Sequence, residues 1–68
     1  MTLNQYCEYL GWNVTRLSYE AGINRRSASK ALTGECSSRV ALKIVEALSK
    51  ALGKPIHVGD IEGLTVTT

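Results

Sequence analysis

Sixty-eight residues with a formal charge of +2 and 44% hydrophobic content describe one small domain, without room for a second or for a large cofactor pocket. A core of this size rarely supplies more than about 3–5 kcal/mol, so such domains lean on disulfides, a structural metal, self-association or regular helix packing. Cys7 and Cys36 are the only thiols and His57 is the only histidine, which indicates neither a disulfide framework nor a zinc cluster and leaves helix packing and self-association.

No basic segment precedes Arg16, and no apolar run approaches the roughly 18 residues of a spanning helix. The expectation is a cytoplasmic protein, away from the membrane, whose two cysteines stay thiols. The charge is uneven along the chain. Residues 23–54 hold Arg25, Arg26, Lys30, Arg39, Lys43, Lys50 and Lys54 against Glu35 and Glu46, whereas residues 1–22 and 55–68 are each net acidic. A basic middle suits a locally placed anionic partner, and it equally suits solvated helix faces.

In chain order, Thr2 and Gln5 form a capping box, and Leu3, Tyr6, Cys7 and Leu10 follow as one helical stripe that Gly11 ends. Asn13 caps a second helix whose inward positions are Val14, Leu17 and Ala21, with Thr15, Arg16, Tyr19 and Glu20 outward, and Gly22 stops it. Ile23 plugs the corner and Asn24 caps a third helix from Arg25 to about Thr33, closed by Gly34. Its small or apolar face is Ala28, Ala31 and Leu32. Ser37 or Ser38 caps a long fourth helix, whose Val40, Ile44, Ala47, Leu48, Ala51 and Leu52 keep the 3.6 period up to Gly53.

Lys54-Pro55 breaks the pattern. Beyond it, Ile56, Val58, Ile61 and Leu64 suggest a short fifth helix near residues 59–62. The tail at about 65–68 reads as frayed or as an edge strand that pairs with a second copy.

Two short helices around an Ala-Gly-Ile corner, the second opening with Arg-Arg and lined inward by alanines, is the plan of a helix-turn-helix at about residues 14–33. The stretch LSYEAGINRRSASKALTGE resembles the helix-turn-helix core of phage repressor and Cro-like (XRE-type) regulators, with Leu17, Ala21, Gly22, Ile23, Leu32 and Gly34 at matching positions. RVALKIVEALSKALG is similar to the helix that follows in those proteins, so the resemblance covers roughly residues 3 to 62. SASKALTGE also looks like the LacI-type headpiece. Ser18, Ala28 and Leu32 depart from the repressor pattern, the last toward the LacI-like variant. Ala28 asks for compensating bulk from Trp12 or Tyr9. The expected fold is all-α: one compact, lambda-repressor-like bundle of four to five helices over residues 1–68.

A major groove roughly 12 Å wide admits one helix, whose first turn reaches base edges. Arg25 and Arg26 lie in that turn, Ser29 and Lys30 on the same side, and the resemblance implies the same four residues as the base-reading face. Phosphates call for donors at helix ends, which Asn13, Thr15, Ser37, Ser38 and Arg39 supply, with Lys43 extending the contact and the Thr33 hydroxyl available to base or phosphate. Asn13, Ser37 and Ser38 are also simple caps, and one residue can do both. Tyr6 belongs in the core and Tyr19 outside. His57 and Asp60 stand three apart, but no serine sits in a Gly-x-Ser-x-Gly elbow, so no enzyme is expected.

The first expectation is a sequence-specific double-stranded DNA-binding regulator, a repressor by resemblance. It would work without cofactor or small-molecule ligand, and as a homodimer through Ile56–Val66. The alternatives are a protein-interaction module of antitoxin or antirepressor type, which docks an acidic protein, and a nonspecific DNA-coating protein.

Overall fold

The computed structural model describes residues 1–67. Four helices, α1 (Leu3–Leu10), α2 (Val14–Ala21), α3 (Arg25–Leu32) and α4 (Ser38–Leu52), enclose the core. One turn of 3-10 helix (Val58–Asp60) and two three-residue strands, β1 (Glu35–Ser37) and β2 (Thr65–Thr67), complete the chain.

Each α-helix begins where a side chain replaces the missing intrahelical acceptor. Thr2 and Gln5 close a reciprocal box on α1, Thr2 Oγ1 accepting from the Gln5 N–H at 3.2 Å and Gln5 Oε1 from the Thr2 N–H at 2.8 Å. The Asn13 and Asn24 carboxamide oxygens accept from the Arg16 and Ser27 amides at 2.8 and 2.7 Å, and Ser37 Oγ accepts from the Val40 amide at 3.3 Å. Ser37 rather than Ser38 is therefore the cap of α4.

Between α2 and α3 the chain reverses in three residues. Gly22 takes φ +67°, a left-handed conformation that costs an L-residue about 1–2 kcal/mol, and the Ile23 amide returns to the Ser18 carbonyl at 3.0 Å. That bond turns Ile23 back against the core, where it lies half-buried.

Leu17, Ile44 and Leu48 are fully buried where α2 meets α4, and Ala28 (0% exposed) and Ala31 (1%) bring α3 onto them. Leu3, Tyr6 and Cys7 cover one side of this core from α1, and Ile56 and Ile61 cover another from the C-terminal segment. Ser18 is buried with its hydroxyl donating to the Thr15 carbonyl at 2.7 Å. Trp12 is half-buried against the cluster, but Tyr9 is 74% exposed and does not supply the bulk expected of it beside Ala28.

The fold is not all-α. β1 and β2 pair in parallel, Glu35 opposite Thr65, Cys36 opposite Val66 and Ser37 opposite Thr67, and Thr2 makes an isolated parallel bridge to Glu62. The tail is thus an edge strand that pairs, through residues 65–67, with β1 of its own chain. α4 serves as the long crossover that parallel strands require. Thr68 lies outside the described residues.

Gly34 makes the junction possible. It has φ +105°, and a Cβ there would stand 3.0 Å from the Gly63 carbonyl oxygen. The Gly34 carbonyl itself accepts from the Thr65 amide at 2.6 Å.

The expected fifth helix shrinks to the 3-10 turn at Val58–Asp60, one residue earlier than the pattern suggested. Gly59 weakens a longer helix, and Ile61 leaves helical geometry to enter the core at 4% exposure. The segment Ile56–Val66, expected as a dimer surface, is drawn partly into the core. Ile56 and Ile61 are spent inside the molecule, and Val58, Leu64 and Val66 are left half-buried. Among the described residues, no helix is long and apolar enough to cross a membrane.

Candidate nucleic-acid interface

α3 has two unlike faces because its inward positions are alanines. With Ala28 and Ala31 pressed on the core, the 3.6 repeat sends Arg25, Arg26, Ser29, Lys30 and Thr33 outward, and all five are exposed. The helix contains no carboxylate. Lys30 sits in its last turn, where a cation is favourable, but Arg25 and Arg26 occupy the first turn, where cations oppose the helix dipole by about 0.3–1 kcal/mol each. Nothing local offsets this. The ion pairs among the described residues are Arg16 to Glu20 at 2.8 Å and the amino terminus to Glu62 at 3.9 Å, so neither arginine is neutralised by a described carboxylate. Two unpaired cations against a helix dipole break a local rule, and such breaks concentrate at functional sites.

A groove of about 360 Å³ runs beside this face, lined by Ser27, Lys30, Glu35, Cys36, Ser37 and Val40. β1 creates it by carrying the chain from the end of α3 directly to the cap of α4. Lys30 and Ser37, both expected at the site, thus share one groove. Ser38 and Arg39 follow at the exposed start of α4, and Lys43 is exposed one turn further on. The amides of this first turn lie near those cationic side chains, an arrangement favourable to an anion.

Asn13 and Thr15 are exposed at the start of α2, outside this groove. Asn13 uses its carboxamide oxygen as the cap, which leaves its NH2 free to donate outward. Thr33 is different. Its hydroxyl donates to the Lys30 carbonyl at 2.6 Å and so helps close α3.

Four residues at the groove were not read as site residues from the sequence: Ser27, Glu35, Cys36 and Val40. Ser27 is half-buried on α3, and Glu35, counted in the sequence only as a charge, is exposed at the start of β1. Ser27 lies one turn before Lys30 on α3, whereas only the β1–α4 junction brings Glu35 beside Lys30, and no local pattern signals that. Tyr19, expected outside, is 80% exposed on α2.

Burial pushes both cysteine thiols above their ordinary pKa, Cys36 at the floor of the groove and Cys7 inside α1. Both are held as neutral thiols, poor nucleophiles at neutral pH. No group of three or more His, Cys, Asp or Glu that could hold a metal ion occurs among the described residues. In comparisons with known proteins, no family model matches the chain, and neither a curated protein nor a solved structure matches it at a significant level.

Proposed function

We propose that this chain is a sequence-specific duplex-DNA-binding regulator, in which α2 and α3 act as a helix-turn-helix and α3 reads the major groove. The observation that carries the reading is the first turn of α3, where Arg25 and Arg26 stand exposed, unpaired and against the helix dipole. An arginine fork donates two parallel hydrogen bonds to guanine O6 and N7, which offsets both the dipole cost and the lost hydration. Ser29 and Lys30, one turn on, face the next bases. Ser37, Ser38, Arg39 and Lys43 on one side, and Asn13 and Thr15 on the other, fix the helix to the two backbones without reading sequence. Occupying such a site is enough to repress, and the reading includes no catalytic step, no cofactor and a cytoplasmic setting.

The test is fluorescence anisotropy with labelled duplex pools, wild type against an Arg25→Ala/Arg26→Ala double variant, at two salt concentrations, followed by recovery of the bound sequences. One enriched motif, lost in the variant while its helical circular dichroism survives, supports the reading. Tight binding without an enriched motif points instead to a DNA-coating protein. If neither protein binds duplex at low salt, the DNA reading falls, and α3 becomes bait for an acidic protein partner.

A further inference from the structure

Glu35 is the one carboxylate among the residues that line the groove beside α3, where Lys30 supplies the one cation. Its backbone is set by the sheet, in register with Thr65, so the exposed side chain is carried on a paired strand. The two charges share the groove but form no ion pair. Nor does the Glu35 carboxylate accept a hydrogen bond from another described residue. It has no capping duty either, because Ser37 Oγ serves the Val40 amide at the start of α4. A donor and an acceptor thus stand side by side at the end of α3, both open to an outside partner.

A carboxylate on a face that meets DNA is repelled by every phosphate. The groups from which it can accept in the major groove are the exocyclic amines, cytosine N4 and adenine N6. The neighbouring cation decides between them. Guanine offers an ammonium two adjacent acceptors, O6 and N7, whereas adenine offers N7 alone. With Lys30 on guanine, the amine next along the same base-pair edge is N4 of the pairing cytosine, and an acceptor beside Lys30 meets it. We infer that Glu35 is a specificity-determining residue that accepts from cytosine N4, so that Lys30 and Glu35 together read one G·C pair. The inference rests on the proposed reading of duplex DNA and deepens it by naming a base pair and the acceptor that selects it. The same carboxylate disfavours unrelated sequences, where it faces phosphates and base acceptors without an amine in return.

The experiment is competition anisotropy with the duplex recovered by the wild type and each single base-pair substitution of it. Wild type, Glu35→Gln and Lys30→Ala are compared, with circular dichroism checking that every variant is folded. Glu35→Gln keeps the size of the side chain and removes its charge. It is expected to lose about tenfold of discrimination at one G·C pair and to accept adenine in place of the cytosine, because a carboxamide pairs with adenine N6 and N7. Its binding to unrelated duplex should tighten, and Lys30→Ala should relax the same base pair. A Glu35→Gln protein with unchanged base preferences, whether or not its affinity rises on all sequences, overturns the inference and leaves the DNA reading standing. Variants that relax different base pairs do the same. A wild type that enriches no motif removes the regulator reading itself, and this inference with it, so the two failures are told apart by the wild type alone.

Discussion

The Asn4 side-chain amide donates to the Leu32 backbone carbonyl across 2.8 Å, so the first helix holds the last turn of the third. A carbonyl at a helix end has no intrahelical partner, and here a residue distant in sequence supplies one. Asn4→Ala should cost about 0.5–1.5 kcal/mol in urea unfolding and speed hydrogen exchange in the last turn of α3. Asn4→Asp, which sets an acceptor against the carbonyl, should cost more. Equal stability in all three proteins would show that the bond holds nothing.

Base readers and phosphate contacts should separate under salt titration. Arg25→Ala or Arg26→Ala is expected to remove about 1–3 kcal/mol from binding of the selected sequence and to relax preference at one base position. Lys43→Ala should weaken all sequences alike and reduce the slope of log K against log salt by about 0.9. Anisotropy at several salt concentrations reads both quantities.

The core has little reserve. Leu48 is fully buried at the centre, and Leu48→Ala should cost about 2–5 kcal/mol. Against a total of about 3–5 kcal/mol for a chain this short, thermal melting should find the variant largely unfolded at room temperature. Leu42→Ala, on the same helix but exposed, should leave the melting temperature of the monomer nearly unchanged.

Gly34 and Gly53 both take positive φ, at +105° and +68°, but only residue 34 has backbone in the way. Gly53→Ala should cost about 1–2 kcal/mol for the left-handed conformation alone. Gly34→Ala should cost more, because it also forces the Gly63 carbonyl away and strains the bond from the Thr65 amide. The difference is read from urea midpoints at constant m-value.

Burial raises the pKa of Cys7 and Cys36, so the folded chain keeps these protons to higher pH than the unfolded chain. The stability they contribute is complete below the unfolded thiol value, about 8.5, and is lost as pH rises through the raised folded values. Urea midpoints measured across alkaline pH should fall more steeply for the wild type than for a Cys7→Ala/Cys36→Ala variant. Parallel curves would assign the alkaline loss to other groups.

The helices were legible because their signals are local. Asn13, Asn24 and Ser37 each act within three residues, and the stripe from Val40 to Leu52 repeats often enough to fix both the helix and its buried face. The sheet was not legible. A strand of three residues shows no alternation worth reading, and the pairing of Cys36 with Val66 joins segments on either side of a 15-residue helix. The site divided along the same line. Arg25, Arg26, Ser29 and Lys30 followed from helical period alone, while the approach of Glu35 to Lys30 depends on that nonlocal junction.

The parallel pair also sets a timetable for the growing chain. On a ribosome, α1 to α4 can form from neighbouring residues, but β1 has no strand partner until residues 65–67 emerge. Until then Gly34 lacks its bond from Thr65, and the junction that brings Ser37 beside Lys30 is untied. A nascent chain therefore presents the basic α3 before the bond between Gly34 and Thr65 can tie the junction beside it.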